Sequence, residues 1–112
     1  MLVAQDVALE MVVAIKPLVD RVARHDRSLA DQVRRAAQSV VLNVAEGRSS
    51  HGRNACARYF TALASANETR AGLRVALAWG YLDAPGCDAC LRLLDRSAAL
   101  LWGLTHRRGS VR

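Results

Sequence analysis

The sequence predicts an all-α protein, a bundle of four helices, and three features carry that prediction. Four stretches repeat apolar residues at alternating steps of three and four, the spacing that lines one face of a helix. Strand signals are missing: the valine-rich piece 40–44 is the one β-like run, and Asn43 with the flanking alanines makes it a helix. Twenty of the 112 residues are Ala and only five are aromatic, which favours closely packed helices over a sheet. A chain of this length fits one domain and buries a core without staples.

The first helix is expected from about Val3 to about His25. Ala4, Ala8, Met11, Ile15, Leu18 and Val22 alternate steps of four and three, the seam of a bundle helix. Val7, Val12, Val13 and Val19 lie off that seam, and so broad an apolar band points to packing on another chain. Pro17 removes a bond to the carbonyl four residues back and predicts a kink. The second helix is expected from Ser28 to Gly47, with Ser28 as cap, Asp31 as the acid three residues on, and Gly47 as a left-handed stop. Leu29, Val33, Ala36, Ala37, Val40 and Val44 form its apolar stripe. Gln32, Arg35, Ser39, Asn43 and Glu46 form a polar stripe beside it, which must be hydrogen-bonded where it is covered.

A polar, basic loop over residues 48–54 separates this helix from a third, expected from about Asn54 to Trp79 and ended by Gly80. Tyr59, Leu63, Ala66, Leu73 and Leu77 point inward, and Asn67 and Glu68 fall at mid-helix, level with the polar stripe of an antiparallel neighbour. Asp83 then caps a fourth helix with Pro85 in its first turn. Leu91, Leu94, Ala98, Leu101 and Thr105 repeat the seam, and Leu93, Leu100, Trp102 and Leu104 widen it past one face. Residues 1–107 read as one bundle and 108–112 as a basic frayed tail.

These residues also carry a resemblance. Gln32, Arg35, Ala36, Ser39 and Val40, followed by Asn43-Val44-Ala45-Glu46-Gly47, match the pattern Q-x-x-R-A-x-x-S-[VI]…N-[IV]-A-E-G. The segment resembles a bacterial four-helix-bundle family of proteins encoded in intervening sequences of 23S ribosomal RNA genes. That family is similar to the accessory variability proteins of diversity-generating retroelements. Tyr59, Phe60, Leu63, Glu68, Leu73, Ala76 and Gly80-Tyr81-Leu82 extend the resemblance over roughly residues 1 to 107. It implies a homopentameric ring. Pro17 is a departure, since the family's proline lies nearer the second helix.

Charge is uneven along the chain. Residues 1–47 hold six basic and six acidic side chains, so the net +6 belongs to residues 48–112. Arginine-rich surfaces favour polyanions, and the guanidinium fork suits phosphate. Arg48, Arg53, Arg58, Arg70 and Arg74 are the candidate nucleic-acid contacts; a GC-rich coding sequence, which inflates Ala and Arg together, is the plainer account of the same composition. The N-terminus lacks a basic leader, the apolar runs are far shorter than the roughly 20 residues that span a bilayer, and three cysteines suit a reducing compartment, so a cytoplasmic protein is expected.

Candidates for chemistry have plainer readings. Cys87 and Cys90 form a CxxC in the first turn of the fourth helix, where the dipole would lower a thiol pKa. A redox motif belongs beside a βαβ unit, however, and zinc needs two further ligands that Cys56 and the histidines do not supply at motif spacing. The plain reading is two small residues, one facing the core. His51 has no carboxylate partner nearby in sequence and reads as solvated. Glu46 and Glu68 are the acids expected to be covered, with Arg35, Ser39 and Asn43, in a network that pairs them to Arg35 or Arg70 and sets helix register. Trp79 and Trp102 read as core or subunit contact rather than base-stacking platforms.

The resulting expectation is a non-enzymatic, antiparallel up-down-up-down four-helix bundle without metal or cofactor. It self-associates through Val12, Val19, Leu100 and Trp102. Its arginine-rich surface meets RNA or DNA, or a nucleic-acid enzyme such as a reverse transcriptase, and no membrane. The alternative is a structural or protein-interaction module with no nucleic-acid role, its arginines serving solubility and subunit ion pairs.

Overall fold

A computed structural model describes residues 3–106, and the expected tail falls outside them. Four helices follow one another: α1 (Val3–Ala23), α2 (Arg27–Arg48), α3 (Gly52–Ala78) and α4 (Ala84–Thr105). The described residues contain no strand. No helix among them is long and apolar enough to cross a membrane.

Local chemistry sets the helix ends. Asp26, in an extended conformation, accepts the Leu29 N–H at 2.9 Å and caps α2. The cap is therefore two residues earlier than Ser28, because a carboxylate ahead of the first turn competes better for the N–H groups than a serine already inside it. Gly47 is not a left-handed stop; α2 runs through it to Arg48, and the Ser49 and Ser50 hydroxyls donate to the Glu46 carbonyl. The left-handed glycines are Gly52, at φ 56°, and Gly80, at φ 78°. At Gly80 the Tyr81 N–H bonds back to the Ala76 carbonyl at 2.9 Å, the closing pattern of a glycine C-cap. Asp83 accepts the Gly86 N–H at 2.7 Å and caps α4 as expected. α1 continues unbroken through Pro17, whose ring is exposed.

Neighbouring helices run antiparallel, as bonds between their ends and middles show. Gln5 meets Arg48 across α1 and α2, and Glu46 meets Arg58 across α2 and α3. Cys56 meets Thr105 across α3 and α4, and Arg21 meets Asp83 across α1 and α4. Each helix thus packs on two neighbours, and the α1–α2 face lies opposite the α3–α4 face. The body measures 46 × 23 × 21 Å.

The α1 seam Ala4, Ala8, Met11, Ile15, Leu18 and Val22 is buried throughout, joined by Val7 from the off-seam set. Met11, Leu73, Leu94 and Leu101 are the largest wholly buried side chains. α2 and α3 approach closely: a Cβ on Gly47 would sit 2.5 Å from Tyr59 Cε1, and one on Gly72 would sit 2.5 Å from Val33 Cγ2. Gly47 is there to admit the tyrosine ring. Where these helices cross at mid-height the interface is polar. The Ser39 and Ser65 hydroxyls lie 2.7 Å apart, Asn43 Nδ2 donates to Ser39 Oγ and O, and Thr69 Oγ1 donates to the Ser65 carbonyl.

Candidate nucleic-acid interface

Arginine placement follows helix geometry. Arg48 ends α2 and donates to Gln5 Oε1 at 3.1 Å. Arg53 stands exposed in the first turn of α3 with no partner among the described residues. Arg58 faces α2, where its Nε is 2.9 Å from Glu46 Oε2. Arg70 faces α4 instead and holds Asp95 and Asn67. Arg74, one turn further, is exposed and unpaired among the described residues. The five therefore do not converge on one patch: two are neutralised by carboxylates, and Arg53 and Arg74 stand about 31 Å apart along α3 at 1.5 Å per residue.

The expected polar network is partly redrawn. Ser39 and Asn43 bond to each other and, through the Ser39 hydroxyl, to Ser65. Arg35 turns the other way, its Nε 3.0 Å from Asp31 Oδ2. The Arg34 hydrogen bond holds the Asp31 carboxyl below its ordinary range, with burial opposing and the charge of Arg35 assisting. Glu46 and Glu68 are exposed, not covered. Arg70 pairs with neither, because it lies on the α4 side of α3 while Glu46 lies across from Arg58. The flank positions of an alanine-rich bundle sit where two helices diverge, so a long charged side chain keeps its head in water.

The apolar candidates also separate. Val12 and Val19 are half-buried and line a groove of about 450 Å³ between α1 and α2, with Val13, Ile15 and Ala37. Leu100 and Trp102, two residues apart on α4, point to different sides of that helix. Trp79 is 70% exposed and Trp102 57% exposed, so neither belongs to the core. Trp102 stacks on the His106 ring at 3.7 Å, and Phe60 meets the same ring edge-on at 5.9 Å. Arg92, Arg96, Ala99, Trp102 and His106, all exposed, follow steps of three and four on the outer side of α4. That spacing is present in the sequence, but the leucine-rich seam beside it masks the outward position of Trp102.

Cys87 and Cys90 are both buried, not one of them. Burial pushes the Cys87 thiol up, with the charge of Asp83 adding to it, and pushes Cys90 up to about 12. Desolvation outweighs the helix dipole, so both behave as small apolar core residues. No group of three ligating side chains is gathered among the described residues. His51 stands exposed ahead of α3 and makes no side-chain capping bond.

These features define an antiparallel four-helix bundle whose distinctive groups lie on its outer faces. A family model described as 23S rRNA-intervening sequence protein matches residues 2–103, and the chain belongs to that family. Its fold is similar to that of a protein with unknown function from the S23 ribosomal protein family of Bacteroides thetaiotaomicron, known from a crystal structure. The TM-score is 0.85 and the identity 21%, over 93% of this chain and 99% of that one. No curated protein matches the chain.

Proposed function

We propose that the chain is a non-catalytic bundle that assembles with copies of itself and presents arginines to nucleic acid or to an enzyme acting on it. The observation behind this reading is an exposed apolar surface on α1 and α2 together with unpartnered arginines on α3 and α4. On α1 and α2, Val13 is 76% exposed and Leu42 62%, beside the half-buried Val12, Val19 and Val41. An apolar surface of that kind is a contact surface. On α3 and α4, Arg53, Arg74, Arg92 and Arg96 stand without a carboxylate partner among the described residues. A closed ring of five copies, the assembly implied by the family resemblance, would repeat those cations around its rim. A reverse transcriptase is the enzyme partner that the retroelement resemblance suggests, and a cytoplasmic setting suits the three free cysteines.

The second reading is a protein-interaction module with no nucleic-acid role. It is favoured by Arg58 and Arg70, whose charges are already met by Glu46 and Asp95. Sedimentation velocity tests the part common to both. The wild-type chain should sediment as an assembly at micromolar concentration, and Val13→Asp should dissociate it with unchanged helicity by circular dichroism. A stable wild-type monomer overturns self-association.

A further inference from the structure

We infer that the outer face shared by α3 and α4 binds single-stranded nucleic acid, with bases stacked on Trp102 and Phe60 and phosphates held by Arg53, Arg92 and Arg96. This rests on the nucleic-acid reading above and replaces the dispersed arginine set with a defined surface.

Geometry assembles the surface from both helices. Trp102 and His106 stack nearly parallel, at 10°, with ring centroids 3.7 Å apart. His106 is held in place by its helix neighbours, since Nδ1 lies 2.8 Å from both the Trp102 carbonyl and the Thr105 hydroxyl. It backs the indole and leaves more than half of Trp102 in solvent. Phe60, 48% exposed, brings α3 to the same ring at 67°. An exposed aromatic group so braced is pre-ordered, and each base stacked on such a group contributes about 1–3 kcal/mol in single-strand binding.

Cations flank the rings on both helices. Arg96 and Arg92 continue the exposed stripe of α4 away from Trp102, about 15 Å from position 102 to position 92 at 1.5 Å per residue. Arg53 lies seven residues before Phe60, which returns it to the same side of α3. None of these three has a carboxylate partner among the described residues. The acids on the face are Asp88 and Asp95, and Asp95 is already held by Arg70. The face therefore combines free cations with free π surfaces. A duplex offers phosphates but hides its bases in the stack, whereas a single strand offers both.

The test is fluorescence anisotropy with labelled oligothymidylate and a dA·dT duplex across a salt series. The wild-type chain should bind the single strand more tightly. Trp102→Ala should weaken single-strand binding by about 5- to 150-fold without changing the salt slope, and Trp102→Phe should restore most of the loss. Arg92→Gln with Arg96→Gln should flatten the single-strand slope by roughly 0.7 for each phosphate no longer neutralised. Trp79→Ala should leave binding unchanged. Equal affinity for strand and duplex, indifferent to Trp102→Ala, would overturn the stacking site and leave the nucleic-acid reading standing. Failure of the wild-type chain to bind either probe at low salt would overturn both. Dissociation of the assembly by Trp102→Ala, read by light scattering, would assign that face to a subunit joint and overturn the site.

Discussion

At Gly47 a single hydrogen in place of a methyl group decides whether two helices can meet. The missing Cβ lets Tyr59 lie against the α2 backbone, and an added one would stand 2.5 Å from its ring carbon. Because Tyr59 is buried, the ring has nowhere to retreat without opening the α2–α3 contact. Gly47→Ala should therefore destabilise the fold by about 1–3 kcal/mol in denaturant titration, although Ala is the better helix former by up to about 1 kcal/mol. An unchanged or raised stability would mean that the tyrosine moves freely. Ser97 shows the opposite imbalance: its hydroxyl is buried in α4 with no partner among the described residues, a group of the sort that costs about 1–3 kcal/mol to leave unmet.

Helix boundaries are settled by which polar side chain reaches the first free N–H groups. For α2 that side chain is Asp26, whose Oδ1 accepts from Leu29, while Ser28 lies exposed inside the first turn. Asp26→Ala should cost about 1 kcal/mol and Ser28→Ala much less, measured by thermal unfolding of the two variants side by side. Equal losses would return the cap to Ser28. α4 begins the same way at Asp83, which also meets Arg21 of α1 at 3.4 Å and so ties the α4 start to the α1 end. That ion pair is exposed, and exposed pairs contribute little. The capping bond is the larger of its two roles.

At the scale of the whole molecule, burial in the bundle holds the Cys87 and Cys90 thiols protonated, and this makes stability depend on pH in the alkaline range. Burial raises Cys90 from an ordinary value of 9.0 to about 12 and raises Cys87 in the same direction. In the unfolded chain both thiols ionise near the ordinary value, so above it the unfolded state binds fewer protons than the native state. The native advantage is complete below about pH 9 and is lost as pH rises toward 12. Unfolding free energy should fall across that window, and the double variant Cys87→Ala, Cys90→Ala should fall less steeply over the same range. Identical slopes would show that the thiols reach water in the native state.

Reading along the chain is enough to establish that it is helical, where its four helices lie to within a few residues, and which residues form the seams. Apolar spacing, capping aspartates and Gly80 act within a few residues of their own position, and such effects can be read in order along the chain. The family pattern around Gln32–Gly47 is legible for the same reason. Packing in three dimensions alone settles which flank of each helix meets which neighbour. The sequence pairs Glu46 and Glu68 with Arg35 or Arg70 as readily as with any other arginine. Helix rotation gives Glu46 to Arg58, Arg70 to Asp95 and Arg35 to Asp31, and leaves Glu68 in solvent. It turns Cys87 and Cys90 both inward and Trp102 outward. A one-residue step turns a helical side chain through about 100°, so where the apolar band is as broad as that of α4 the spacing admits several orientations. Packing against two neighbours selects one of them.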